Sequence, residues 1–294
     1  MVKFTYISIF FIVFLFDALA FAGPIETAVF DKIQISYDSS LYSESEIVSM
    51  IARLNDLPSR ILNRVNGSRD ALLALLGNKG PIFPEQIEVF FKNYAAPTLF
   101  SNKVNAALRG DTDESLKDIS FEGATDDGNI VKSNMQDVIN FFDNYIPDGQ
   151  FDTSPLYRGI RQDPTESGFD TLRVDDRIGD LGFSSTSKNL DRVKFMTLKQ
   201  VSTPVDEINP GITIQINRQR SGIDISSRSA VPSEGEILFP PKKTFKINAT
   251  AMDFDAKRGF LIIEEDPLWR GDVKSMLTGE KVYEQIPQLT SPCR

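Results

Sequence analysis

Ser233-Glu234-Gly235-Glu236-Ile237-Leu238-Phe239-Pro240-Pro241 sets two carboxylates two positions apart, directly before an apolar run and a double proline. Read as an extended strand, it points Glu234 and Glu236 to one face with roughly 7 Å between them, because strand side chains alternate. Two carboxylates at that separation can divide the work of a glycosyl transfer or hydrolysis, one facing developing positive charge and the other moving a proton. A solvated strand of an acidic chain carries the same pattern, so the pair acquires chemical meaning only from its surroundings.

Those surroundings read as a sheet. Beyond Pro147-Asp148-Gly149 the hydrophobic pattern changes from helical to alternating, with strands expected at 155–160, 181–187, 212–216, 244–248 and 259–265. Ile212, Ile214 and Ile216 alternate with Thr213, Gln215 and Asn217 as in a half-buried strand, and Asn189 caps a helix running to about residue 200. Few helices interrupt these strands, which favours an α+β core with mostly antiparallel pairing over a doubly wound fold.

Upstream the chain is helical after a short extended stretch at 30–37. Ser43-Glu44-Ser45-Glu46 has the spacing of a capping box, and Ile47, Val48, Ile51 and Leu54 then share one face. Similar runs occupy 59–65, 70–76, 85–94 and 97–108, and a further helix is expected at 133–145 with Met135, Val138, Ile139 and Phe142 on one side. Residues 111–129 carry seven acidic side chains and read as a solvated loop without the ligand order of a calcium site. The expected organisation is a signal peptide at 1–22, a helical section at 23–147 and a sheet-rich core at 148–294.

Composition removes several function classes. Histidine is absent, which excludes Ser-His and Cys-His nucleophiles and every histidine-containing metal site and leaves acid–base work to carboxylates, lysine or tyrosine. A net charge of −9 argues against a general nucleic-acid or anionic-membrane surface. Lys3, the apolar run at 7–16 and Ala20-Phe21-Ala22 form a secretory leader, too short to span a bilayer at ~20 residues, so a secreted protein without stable membrane insertion is expected. With Cys293 as its one cysteine, that protein has no internal disulfide. Asn66-Gly67-Ser68 and Asn248-Ala249-Thr250 are glycosylation acceptors if the producing cell uses them.

Three pieces follow one another in the sheet half: Arg158 in Leu156-Tyr157-Arg158-Gly159, the hydroxyl run Ser185-Thr186-Ser187, and Glu234-Gly235-Glu236. Singly they are commonplace. In this order, with Gly182-Phe183 before the hydroxyls and Ile237-Leu238-Phe239-Pro240-Pro241 after the glutamates, they resemble the Arg-Ser-Glu class of mono-ADP-ribosyltransferases, a class of secreted bacterial toxins and vertebrate ecto-enzymes. Gly222-Ile223-Asp224-Ile225-Ser226 and Thr244-Phe245-Lys246-Ile247 add to the likeness. It covers residues 155 to about 265, touches 43–145 only loosely and leaves the chain from Asp266 unexplained. The absence of cysteine pairs favours the toxin-like branch.

The resemblance implies two roughly perpendicular, mainly antiparallel sheets clasping NAD, and transfer of ADP-ribose to arginine on a target protein, with no metal and no nucleic acid. It places Glu236 at the catalytic position and Ser185 beside it, with Arg158, Gly159, Thr186 and Ser187 on the cofactor. The chemistry suits these residues independently of the likeness. Cleaving the nicotinamide–ribose bond spreads positive charge over the ribose, which a fixed carboxylate stabilises. Arg158 offers a planar fork for the pyrophosphate, and Glu234 offers a base for an arginine acceptor that is otherwise protonated. An NAD glycohydrolase using water, an inactive secreted binding protein of the same fold and a glycosidase on the same carboxylates are the alternatives.

Overall fold

The computed structural model describes residues 23–56, 83–96, 98–145, 150–198, 209–229, 232 and 235–285. The leader at 1–22, the helices expected at 59–65 and 70–76, the first sequon, Glu234 and Cys293 lie outside these residues.

Strands β1 (Ile25–Phe30) and β2 (Ile33–Asp38) form a hairpin turned by Asp31 and Lys32, both left-handed at φ 44° and 70°. Two such residues give the turn whose twist matches the strands it joins. Helix α1 (Glu44–Asn55) follows and starts on the predicted capping box: Ser43 accepts from the Glu46 amide while the Glu46 carboxylate accepts from Ser43. Next come α2 (Glu85–Tyr94), α3 (Phe100–Arg109), the hairpin β3 (Ser120–Ala124) and β4 (Ile130–Asn134), and α4 (Met135–Asn144). That hairpin corrects the expected loop at 111–129 and moves the helix start from 133 to Met135, capped by Asn134. Of β3 only Phe121 is buried, so its alternation is too sparse to read in sequence.

The second half supplies β5 (Leu156–Ile160), β6 (Arg177–Gly179), β7 (Ser184–Ser187), α5 (Leu190–Leu198), β8 (Gly211–Arg218), β9 (Ile223–Asp224), β10 (Glu236–Phe239), β11 (Thr244–Asp253), β12 (Arg258–Glu265), β13 (Gly271–Ser275) and β14 (Lys281–Gln285). Their order is β14-β13-β6-β11-β12-β8-β5-β7-β10-β9, with only β12/β8 and β13/β6 parallel, so the fold is α+β and mainly antiparallel. The pairing runs as one continuous curled path. It forks at β11, where a bulge between Ile247 and Ala249 separates the residues that pair with β6 from those that pair with β2. Through β2 the first strands join the same sheet as the second half.

Central strands are buried on both faces. Leu261 and Ile263 of β12 pack into one cluster with Ile212, Ile214 and Ile216, while Phe260 and Ile262 pack into another beneath α1 and α5. β8 is therefore not half-buried as its alternation suggests. Its Thr213 and Gln215 are buried as well, and the Gln215 oxygen accepts from Arg53 of α1 at 2.7 Å, which satisfies a buried amide. A third, aromatic cluster joins Phe90, Phe91 and Tyr94 of α2 and Phe142 of α4 to Phe183, whose ring lies 5.1 Å from that of Phe90. This cluster fixes the helices against the chain entering β7.

The chain beyond Asp266, which the motifs leave unexplained, extends the sheet through β13 and β14. Arg177 stacks 4.5 Å from the Trp269 ring and pairs with Asp266, and the Tyr283 hydroxyl donates to the Lys243 carbonyl. That hydroxyl fills the space a side chain at Gly179 would need.

Candidate active site

Strands β5, β7 and β10 are neighbours, and Ser187 sits opposite both Tyr157 and Glu236. This register brings Ser185 diagonally across from Glu236, within reach of a side-chain contact between strands. The Ser185 hydroxyl donates to Glu236 Oε1 at 2.6 Å, across 51 residues of sequence. Glu236 is buried at 8% exposure, and its backbone carbonyl accepts from the Ile225 amide and the Ser226 hydroxyl. A carboxylate so enclosed is held by specific contacts and not by solvent.

The stretch before Glu236 differs from the extended reading. Gly235 has φ 58°, in the left-handed region where a side chain is strained, and β10 begins only at Glu236. The chain turns at Gly235, with its amide on the Pro232 carbonyl and its carbonyl on the Lys188 amide. β10 therefore does not extend back through Gly235.

Arg158 on β5 lies in a chain of charges that the sequence does not reveal. Its Nη2 donates to Asp180 Oδ2 at 3.3 Å, and Asp180 is gripped from the other side by Arg109 of α3, Nε to Oδ1 at 2.9 Å and Nη2 to Oδ2 at 2.7 Å. The Gly182 amide adds a fourth bond to Oδ1. Burial alone would raise the Asp180 pKa, but the two guanidiniums hold it below the ordinary carboxylate range. Burial pulls the Arg158 pKa down and Asp180 partly restores it. Arg158 Nη1 is buried without a hydrogen-bond partner. Such an orphaned donor costs about 1–3 kcal/mol, or more when charged, which an anionic ligand would recover.

The other expected contacts divide. Thr186 donates to the Ile237 carbonyl at 2.8 Å, and the Ser187 hydroxyl accepts from the Asn189 amide at 2.9 Å, so these hydroxyls brace β7 and the start of α5. Gly159 lacks a side chain for α5: a Cβ there would overlap the Thr197 hydroxyl. All three residues nonetheless border the same cleft as Arg158, Ser185 and Glu236, a concavity of about 740 Å³. That volume lies within the roughly 300–1,000 Å³ usual for small-molecule sites.

Tyr94 of α2 and Asn105 of α3 contribute to the lining. Asn105 donates to the Tyr94 hydroxyl at 2.9 Å and accepts from the Phe183 amide at 2.8 Å. Burial pushes the Tyr94 pKa up to about 12, so its phenol stays neutral. Tyr94, Asn105, Arg109 and Asp180 escape a reading of the sequence because each is an isolated residue in a helix or turn. No spacing pattern announces contacts across 71 or 78 positions. Among the described residues no group of three or more His, Cys, Asp or Glu is placed to hold a metal ion. Nor is any described helix long and apolar enough to cross a membrane.

The comparisons with known proteins agree in kind. A family model for the ADP-ribosyltransferase exoenzyme matches residues 101–269. No curated protein matches the chain. Among solved structures, the ADP-ribosyltransferase Vis in complex with agmatine, a toxin of Vibrio splendidus, is similar at 15% identity and a TM-score of 0.50, covering 82% of this chain and 96% of Vis. Exoenzyme S of Pseudomonas aeruginosa is similar at 18% identity and a TM-score of 0.44, over 70% of this chain and 86% of its own. An ADP-ribosyltransferase of Clostridium botulinum is similar at 16% identity and a TM-score of 0.40, over 71% of this chain and 99% of its own.

Proposed function

The chain belongs to the ADP-ribosyltransferase exoenzyme family, and from that membership we propose that it is a secreted toxin or effector that transfers ADP-ribose from NAD to arginine on a target protein. One observation carries the reading. The buried Glu236 carboxylate, bonded to Ser185, shares a cleft with Arg158, whose Nη1 has no partner.

NAD suits that cleft. Arg158 takes the pyrophosphate, since a guanidinium is permanently charged and presents paired donors to phosphate oxygens. Glu236 faces the ribose. As the C1′–nicotinamide bond breaks, its electron pair leaves with nicotinamide, and positive charge develops on the ribosyl carbon and ring oxygen, which the fixed carboxylate stabilises. Ser185 holds that carboxylate through a neutral donor and leaves its charge intact. The acceptor guanidinium then forms the new C–N bond and gives up a proton, for which Glu234 is the base. Agmatine, found with Vis, carries the same guanidinium chemistry and supports arginine as the acceptor.

Incubation with labelled NAD, agmatine and a cell lysate tests the proposal. We expect nicotinamide release together with label on agmatine and on discrete proteins. Nicotinamide release without transferred label would reassign the protein as a glycohydrolase, and release no greater than that of Glu236→Gln would remove the activity. Export is tested by sequencing the amino terminus of secreted material, which should begin near Gly23. Intact Met1 in a membrane fraction would overturn it.

A further inference from the structure

We propose that Asp180 and Arg109 are positioning residues for the NAD grip, acting through Arg158. The idea rests on the reading of the cleft as an NAD site and goes beyond it by assigning a function to the helical section. One carboxylate serves two guanidiniums here. Asp180 Oδ1 takes the Arg109 Nε and Gly182 amide, and Oδ2 takes Nη2 of both Arg109 and Arg158. Asp180 is sealed, with 3% of its side chain exposed, whereas Arg158 has 14% and Arg109 26%. Arg158 is therefore held by one nitrogen, and Nη1 remains uncommitted.

The charge balance follows the same logic. Two guanidiniums against one carboxylate leave a net positive charge beside the cleft, matched to a dianionic pyrophosphate. Without the carboxylate the two arginines would repel each other across a buried space, and the Arg158 fork would lose its anchor. Arg109 approaches Asp180 as a bidentate fork, which fixes the carboxylate plane and so the direction in which Arg158 is pulled. One turn earlier on α3, Asn105 accepts from the Phe183 amide, so a single helix face fixes both the Asp180 turn and the entry to β7 that carries Ser185.

Calorimetric titration with NAD, in a double-mutant cycle, tests this without relying on turnover. Asp180→Asn should weaken NAD binding about tenfold in the native background and less than twofold in an Arg158→Lys background, because the effect travels through Arg158. At saturating NAD its kcat for nicotinamide release should change less than twofold, whereas a loss of fold lowers kcat as well. Arg109→Lys, which keeps the charge at a more exposed position but loses the fork, should weaken binding about threefold with kcat for nicotinamide release changed less than twofold. Equal losses in both backgrounds, unchanged affinity in both variants, or tighter binding by Asp180→Asn would overturn the proposal. Tighter binding would mean that Asp180 competes with the ligand for Arg158. A native protein that takes up no NAD overturns the functional reading as well.

Discussion

Arg158 is pulled by Asp180 on one nitrogen and lacks a partner on another, a division of labour that a guanidinium allows and an ammonium does not. Arg158→Lys should keep the charge and lose the fork, lowering NAD affinity by about 1–3 kcal/mol, roughly five- to a hundredfold, in a titration. The two glutamates divide differently. Glu236→Gln should abolish NAD hydrolysis and transfer together, at about 3–4 kcal/mol or a few hundred- to a thousandfold in rate, because every route passes through the ribosyl cation. Glu234→Gln should lose arginine transfer and retain measurable hydrolysis. Equal losses in both assays for both variants would mean that the carboxylates act as one unit. At this scale the sequence was informative where a motif exists. Arg158, Ser185 and Glu236 stand in recognisable local contexts and border one cleft. Asp180 and Arg109 stand in none, because their meaning lies in contacts made only after folding.

Helix α5 sits so close on β5 that the two share one side chain's worth of space, at Gly159 and Thr197. Gly159→Ala should therefore push α5 away and destabilise the protein by about 1–3 kcal/mol, the usual cost of overpacking. The double variant Gly159→Ala/Thr197→Ala should recover part of the lost melting temperature, since it removes the closest overlap, with the Thr197 hydroxyl, and leaves the Thr197 Cβ 2.9 Å away. A double variant no better than the sum of the single losses would place the strain elsewhere. Elements with strong local signals were legible: the capping box of α1 and the Asn189 cap of α5, whose side chain accepts from the Arg192 amide at 3.1 Å. Burial was not. The polar face of β8 looks solvated in sequence and is buried because helices pack over it, α5 on the strand and α1 with an arginine matched to Gln215, a tertiary fact without local trace. The turn at Gly235 was equally hidden, because a glycine between two glutamates is compatible with a strand until its φ is known.

On the scale of the whole molecule, alternation in the second half disclosed the α+β class, but the fork at β11 and the addition of β1 and β2 to the same sheet depend on pairings between residues some 200 positions apart. The electrostatic behaviour of the entire fold is simpler to anticipate. No histidine is present, so no side chain of ordinary pKa titrates near 6.5, and stability should be flat from about pH 5 to 8. Below that plateau the carboxylates decide. Asp38, Asp180 and Asp224 are held below their ordinary range against the opposing effect of burial, by Ser40 and Lys246, by Arg109 and Arg158, and by Lys188 and Ser226 respectively. Asp163 is lowered to about 2 by hydrogen bonds from Lys257 and Thr165. A depressed folded pKa contributes stability that is complete above the unfolded value, near 3.9, and is lost as the pH falls through the folded value. The urea midpoint should therefore hold steady down to about pH 5 and fall progressively from about pH 4 towards pH 2 as these ion pairs are protonated. Asp38→Asn should lower the neutral plateau and make the acid limb shallower, since one proton fewer is taken up on unfolding. A step in stability between pH 6 and 7, or an acid limb unchanged by Asp38→Asn in a folded protein, would contradict this account.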